Sequence, residues 1–135
     1  MFTEINVSAL KGGGGKVETV PKFRISKGGS MGLNRHLLSL MGEGSATPEF
    51  VHFLKNEVGH YFIYLDGNPK NGLKMRIQNK AGSRDGVIQC RGLVNQIIAD
   101  LDLAVGDEAK TSVRLDVDPD GQKVPGTKAK AFRIY

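Results

Sequence analysis

Residues Lys22–Leu40 read KFRISKGGSMGLNRHLLSL, and the chain contains a similar stretch at Lys74–Ile98, KMRIQNKAGSRDGVIQCRGLVNQII. In both stretches an alternating strand runs into a Lys and a Gly-Ser turn, then a short second strand, then a helix that begins at an Arg. Self-similarity of this kind is the signature of an internal repeat. We therefore predict a single domain of 135 residues, built from two strand–helix–strand units at 22–65 and 73–135 and preceded by an N-terminal hairpin at 1–21.

The composition predicts a small α+β domain that is rich in strands. The 135 residues are enough for one hydrophobic core, and 18 Gly with 5 Pro indicate many turns and short elements. No apolar run approaches the roughly 18–20 residues of a membrane span, and residues 1–16 lack the basic start and apolar block of a signal peptide. The single cysteine, Cys90, excludes an internal disulfide. We expect a cytoplasmic protein that makes no contact with membranes.

The local patterns predict the elements of both units. Residues 11–16, KGGGGK, are typical of a mobile hairpin loop that follows a strand at 2–10. Asn34 is a good N-cap for a first helix at 35–41, and an apolar face with a 3.6-residue period predicts a second helix at 91–101. Period-two alternation and flanking turn residues predict the strands at 16–27, 30–33, 49–55, 60–65, 73–79, 86–90, 110–118 and 127–135.

The charge of the chain is positive and unevenly placed. The net charge is +5 with an isoelectric point near 9.4. Residues 1–35 hold six Lys and Arg against two Glu, residues 70–91 hold six against one Asp, and residues 100–120 reverse the sign with seven Asp and Glu against two basic residues. The two basic segments largely coincide with the repeated strand–turn units. Such a surface suits a polyanion, because each neutralised phosphate releases counterions; the alternative is that these residues merely solvate exposed strand faces.

The order of strand, short strand, helix, Gly-Asp turn and strand resembles the cradle-loop barrels, which include the AbrB-type swapped-hairpin transcription factors and the double-psi barrels. The residues that carry the resemblance are RISKGGSMGLNRHLLSLMG at 24–42 and GVIQCRGLVNQIIADLDLAVGDEA at 86–109. The second segment contains a Gly-Asp box at 105–108, whereas the first unit departs from the family with Thr-Pro-Glu-Phe at 47–50. The likeness covers roughly residues 22–135.

The resemblance implies a small barrel-like domain and a DNA-binding protein of regulatory type. Family members that bind DNA use basic groups on the strand–loop side of a dimer, so this chain either forms one barrel alone or pairs with a second copy as a homodimer. Because the basic residues lie on predicted strands and turns and no long exposed recognition helix is apparent, we predict contacts mainly to the phosphate backbone of duplex DNA. The positions that the resemblance implies are Lys22, Arg24, Lys27, Arg35, Lys74, Arg76, Lys80, Arg84 and Arg91.

No pattern of catalytic residues stands out, and we expect a protein that is not an enzyme and has no cofactor. His52 and His60 could meet across a hairpin, but no Cys or acidic residue lies at a familiar zinc spacing. The run Asp-x-Asp-x-Asp-Gly at 116–121 begins like an EF-hand loop, but Thr127 occupies the twelfth position, which favours an ordinary acidic turn.

Two other functions remain open. One is a non-catalytic structural or protein-interaction module, whose acidic region 100–120 pairs with a basic surface of a neighbour. The other is an enzyme that uses a cleft of the double-psi type. Binding to duplex DNA distinguishes the leading prediction from both.

Overall fold

The computed structural model describes residues 20–42, 49–80, 83–103, 112–127 and 129–135, with only the backbone of Lys80 and Ser83. The predicted N-terminal hairpin, the loop at 11–16 and the Gly-Asp box at 105–108 lie outside these residues. In chain order the elements are β1 (Lys22–Ser26), β2 (Ser30–Leu33), α1 (Arg35–Leu40), β3 (Phe50–Lys55), β4 (Tyr61–Asp66), β5 (Leu73–Lys74), β6 (Arg76–Lys80), β7 (Ser83–Gln89), α2 (Arg91–Leu101), β8 (Ser112–Asp116), β9 (Gln122–Lys123) and β10 (Lys130–Ile134).

The strands form two antiparallel five-stranded sheets, so the α+β prediction is confirmed at this level. Sheet A has the order β6-β7-β2-β1-β8, and sheet B has the order β5-β3-β4-β10-β9. Each helix directly follows one of the two strands β2 and β7, which pair with each other near the middle of sheet A. Among the described residues no helix is long and apolar enough to cross a membrane.

Backbone hydrogen bonds join the two sheets. At one side a bridge pairs Val117, just beyond β8, with Ile134 of β10, and the Asp116 N–H donates to the Tyr135 carbonyl at 2.8 Å. At the other side the Met75 N–H, between β5 and β6, donates to the Glu49 carbonyl at 3.2 Å. The chain therefore passes from the edge of sheet B into the edge of sheet A within residues 73–80.

One hydrophobic core lies between the sheets and under the helices. In β1, Phe23 and Ile25 are fully buried while the residues between and beside them face outward, as the period of two in a strand requires. Each helix contributes two buried side chains to this core, which explains the apolar face of each helix. The most deeply buried members are Phe23, Ile25, Met31, Leu33, Leu37, Leu38, Val51, Tyr61, Ile63, Ile88, Val94, Ile97 and Ile134.

The structure corrects several predicted boundaries. The predicted strand at 73–79 is two strands, because the chain changes partner at Met75 from β3 to β7. The predicted short strand at 86–90 begins earlier, at Ser83, because its first half forms a hairpin with β6. The region 118–126, predicted as turn alone, contains β9, which pairs with β10. Helix α1 ends at Leu40 with Met41 as its C-cap, one residue before the predicted end.

A polar network fastens α2 to sheet B. The Tyr61 hydroxyl donates to Asp100 Oδ2 at 2.6 Å and accepts from Gln96 Nε2 at 3.0 Å, while Lys55 Nζ forms an ion pair with the same Asp100 oxygen at 2.8 Å. The bonds from Lys55 and Tyr61 hold the pKa of Asp100 below its ordinary value of 3.8. Burial and the bond to Asp100 raise the pKa of Tyr61. The ionised carboxylate is therefore the form that the folded state stabilises.

Replacing Asp100 with Asn should flatten the acid side of the stability curve. Because the folded pKa of Asp100 is depressed, its stabilisation is present above the ordinary value of 3.8 and is lost as the pH falls through the lower folded value. The amide of the Asp100→Asn variant would keep an acceptor for Tyr61 but has no charge to lose. Urea unfolding between about pH 2 and pH 7 measures the effect, with Asp120→Asn in an exposed turn as the control. If the free energy of unfolding of Asp100→Asn and of the parent had the same dependence on pH, the lowered pKa of Asp100 would be contradicted.

Candidate nucleic-acid interface

Strand β1 presents two of the predicted basic residues on the outer face of sheet A. Phe23 and Ile25 point into the core, so alternation places Lys22 and Arg24 on the opposite side, where Arg24 is exposed. In the ladder between β1 and β8, Arg24 lies directly opposite Arg114, which is exposed as well. Two like charges thus occupy one cross-strand pair, an arrangement that destabilises a sheet unless another charge compensates it.

A third arginine lies in the same cross-strand row. Ladder pairs join Arg76 to Val87, Val87 to Gly32, Gly32 to Arg24 and Arg24 to Arg114. Residues directly opposite each other in antiparallel strands share a face, so all five belong to the outer face. The row therefore carries three guanidinium groups across the five strands of sheet A.

A cavity of about 210 Å³ opens on this face between β1, β2 and β8. Three of its lining residues are cationic and one, Asp85, is acidic. The charge of Lys22 is offset by an ion pair with Asp116, which does not line the cavity. The two arginines are thus the main cationic groups of the site. The lining residues are Lys22, Arg24, Gly32, Leu33, Asn34, Asp85 and Arg114.

The Arg24 guanidinium lies over the backbone of Gly32. A Cβ atom at Gly32 would stand 3.0 Å from Arg24 Nη2, 3.2 Å from Nε and 3.3 Å from Cζ. Three atoms of the planar group therefore lie at contact distance from that position. Arg24 follows the sheet surface towards β2 instead of extending straight into solvent.

Asn34 fixes the edge of the cavity. As the N-cap of α1, its Oδ1 accepts from the Leu37 N–H at 2.9 Å, which confirms the predicted cap. The same Oδ1 accepts from the Lys22 N–H at 3.1 Å, and Nδ2 donates to the Val20 carbonyl at 2.8 Å. One side chain thereby ties the start of β1 to the start of α1.

The turn that contains Lys27 packs against the start of α2. The Cys90 N–H donates to the Gly29 carbonyl at 2.9 Å. Gly29 has φ +98°, and a Cβ there would stand 2.8 Å from the Arg91 Cα, so both conformation and space require glycine. This contact brings the turn of the first unit beside Arg91, an exposed residue at the first position of α2.

The remaining predicted residues lie elsewhere. Arg35 is exposed at the first position of α1, and Lys74 is exposed on β5 in sheet B. Arg84 pairs with Asn79, and alternation places it on the face of β7 opposite to Asp85. Lys80 is the last residue of β6. The structure thus places Lys22 and Arg24 on one face of β1 and aligns Arg76 with Arg24 in one row.

Sequence analysis missed Arg114. It was counted within the acidic segment 100–120, and its contribution depends on the pairing of β8 with β1. The alternation of Val113, Arg114 and Leu115 did indicate that the arginine faces away from the core. The sequence carries no local signal that β1 is the neighbouring strand.

Sheet B has a different outer face, part of which is apolar. The segment around β9 covers part of it, where Phe62, Val124 and Ala131 form a small second core. Beside this core lies an open groove of about 300 Å³, where Leu54 remains 39% exposed. The groove is lined by Leu54, Lys55, Asn56, Phe62, Gln122, Lys123, Val124, Pro125 and Ala131.

The prediction that His52 and His60 could meet across the hairpin is wrong. His52 lies opposite Tyr64 in the β3–β4 ladder and stacks on its ring, with centroids 4.9 Å apart. Its Nε2 lies 2.8 Å from the Asn68 carbonyl, which fastens the 66–72 turn to sheet B. His60 lies in the turn beyond the end of the ladder, where its N–H donates to the Asn56 side chain at 2.8 Å. The buried His52 therefore has a structural role.

The acidic run after β8 behaves as the expected turn. Asp116 pairs with Lys22, and Asp118 Oδ1 accepts from the Asp120 N–H at 2.9 Å. Within the described ranges, no three side chains of His, Cys, Asp or Glu come close enough to hold a metal ion.

Comparison with known proteins adds no assignment. Models of protein families, curated proteins and solved structures give no match to this chain.

Proposed function

We propose that the protein binds nucleic acid, most favourably duplex DNA, through the outer face of sheet A. The observation that carries this proposal is the pair Arg24 and Arg114, which lie opposite each other and line one cavity together with Lys22. Arg76 extends the same row. Guanidinium groups bind phosphate in a bidentate manner, and their charge releases counterions from the polyanion.

The chemistry of the face favours phosphates over bases. Phe23 is the one aromatic residue in the five strands of sheet A, and it is fully buried. The strands of sheet A therefore offer no exposed ring on which the bases of a single strand could stack. Helix α1 has only six residues, and α2 uses Val94 and Ile97 in the core. Contacts to phosphates give affinity with little sequence preference, so the regulatory role rests on the family resemblance alone.

The strand pairing supports an internal duplication and a barrel-like closure, which we also propose. Strand β2 pairs with its repeat counterpart β7, and β4 pairs with its counterpart β10. The pairing of β1 with β8 has an equivalent in the pairing of β5 with β3. These relations are those of a two-fold axis through the β2–β7 and β4–β10 pairs. Together with the bonds that join the sheets on both sides, they support the likeness to cradle-loop barrels.

The parent protein should bind labelled duplexes of unrelated sequence with similar affinity. If the three arginines of the row each neutralise one phosphate, log K should fall against log salt with a slope of about −2.7, or about −0.9 for each contact. Fluorescence anisotropy at several salt concentrations measures this, with the matching single strands and an uncharged polymer as controls. Absence of duplex binding at low salt would remove the proposed function.

The alternative is a non-catalytic interaction module. The observation in its favour is the apolar groove on sheet B, with Leu54 at its exposed edge. A second copy of the chain is the first partner to test, since a homodimer follows from the same family resemblance. This alternative predicts association of the protein with itself and no duplex binding above background. Of the seven acidic residues in the region 100–120, Asp107 and Glu108 lie outside the described residues. Asp100 and Asp116 form ion pairs within the chain, with Lys55 and Lys22.

A further inference from the structure

The outer face of sheet A contains a glycine that the backbone does not require. Gly32 lies inside β2, in ordinary strand conformation, where glycine costs about 0.5–1 kcal/mol relative to alanine. The group nearest to the space of its missing side chain is the Arg24 guanidinium, whose atoms lie 3.0–3.3 Å from an ideal Cβ position, a tight contact. Glycine inside a strand often marks a site where a ligand or another group approaches closely. Gly32 thus makes room for one defined orientation of Arg24.

Cationic side chains outnumber acidic ones among the described residues that line the cavity. Arg24 and Arg114 form a like-charged pair across β1 and β8, and Asp85 is the acidic member of the described lining. Within the described part of the chain, no carboxylate forms a salt bridge with Arg24. A group with negative charge bound between the two arginines would offset their repulsion. The cavity volume of about 210 Å³ corresponds to about seven water molecules at about 30 Å³ each.

We propose that this cavity is a built binding site for one phosphate group, with Gly32 as the floor that presents the Arg24 guanidinium to it. Arg24 binds two phosphate oxygens through its fork of N–H donors, and Arg114 completes the charge from the neighbouring strand. This inference rests on the proposed function in so far as the phosphate belongs to a nucleic-acid backbone. The same chemistry would bind free inorganic phosphate, so the experiment separates the two sources.

The decisive variants keep the net charge of the protein and change only the position or the shape of the cationic group at residue 24. Gly32→Ala should push the guanidinium by a few tenths of an ångström and weaken duplex binding up to about 10-fold, part of the effect of losing one charge-assisted contact. Arg24→Lys keeps the charge but removes the fork, and should weaken binding to a similar extent. Gly92→Ala is the matched control, because a Cβ there meets nothing within 4 Å. A diffuse cationic surface predicts no change in any of the three variants.

Duplex anisotropy is combined with NMR titration of inorganic phosphate, read at the Gly32 amide and the Arg24 side-chain N–H. Weakened duplex binding in Gly32→Ala and Arg24→Lys, with Gly92→Ala unchanged, supports the site; where Gly32→Ala unfolds, Arg24→Lys decides alone. Parent-like binding in both variants overturns the site and leaves nucleic-acid binding intact. If the parent binds no duplex but phosphate shifts both signals, and Arg24→Lys abolishes the shift of the Gly32 amide, the site stands and the nucleic-acid function fails. If the parent responds to neither ligand, both proposals fail.

Discussion

Replacing Arg24 and Arg114 together with Ala should weaken binding to every duplex about 100- to 10,000-fold at low salt, since each arginine supplies a charge-assisted contact worth about 10- to 100-fold. The two side chains lie opposite each other and line the same cavity. The double variant should also reduce the log–log salt slope, by about 0.9 if the two arginines bind one phosphate together and by about 1.8 if each contacts its own. All sequences should lose affinity alike, because phosphate contacts do not distinguish bases. Anisotropy titrations across a salt series give both quantities.

A charge-matched control separates this site from the net charge of the protein. Lys123→Ala with Lys130→Ala removes two positive charges from a paired position in sheet B, and should leave the slope unchanged. Adding Arg76→Ala to the double variant should lower the slope by about 0.9 more if the row acts as one surface. Equal losses in the sheet A and sheet B variants would show that only the overall charge matters, and the site would be withdrawn.

Replacing Phe23 with Ala should lower the free energy of unfolding by about 3–5 kcal/mol, the usual cost of deleting a buried aromatic side chain. Phe23 is fully buried in β1, and its ring meets Phe53 of β3 edge to face with centroids 6.0 Å apart. The contact joins the two sheets, and an aromatic pair adds about 0.5–1.5 kcal/mol to the effect of burial alone. Urea unfolding followed by circular dichroism measures the loss.

Val20→Ala, two residues before β1, is the control for Phe23→Ala. Val20 is 50% exposed, so its truncation should change stability by no more than about 0.5 kcal/mol. A loss below about 1 kcal/mol in Phe23→Ala would mean that the sheets are held together elsewhere. The comparison is direct, because both changes remove apolar atoms in or next to the same strand.

The elements that could be predicted are those whose signals are local. The β3–β4 hairpin and the start of α1 follow from alternation and from the cap at Asn34, and α2 follows from its apolar period. The break at Met75 could not be predicted, because it arises from a change of partner strand. The same is true of β9, which has only two residues and exists through its pairing with β10.

The candidate site was half predictable for a related reason. Alternation within β1 indicates that Lys22 and Arg24 face away from the core, and the repeat directed attention to Arg76. Arg114 joins them through a ladder whose ion-paired members, Lys22 and Asp116, are 94 positions apart in the chain. A local pattern of apolar and polar residues cannot predict which strands pair across such a sequence separation.

The pairing of distant strands also has a consequence for the rate of folding. Strand β1 is flanked by β8, and β4 is flanked by β10, so neither sheet is complete until segments near residues 112–134 have been brought back to the first unit. Closing such long loops costs chain entropy before the contacts repay it, and topologies of this kind fold slowly. On the ribosome, the hairpins β3–β4 and β6–β7 can form early. The core between the sheets is completed only when β10, the last strand in the chain, has paired with β4.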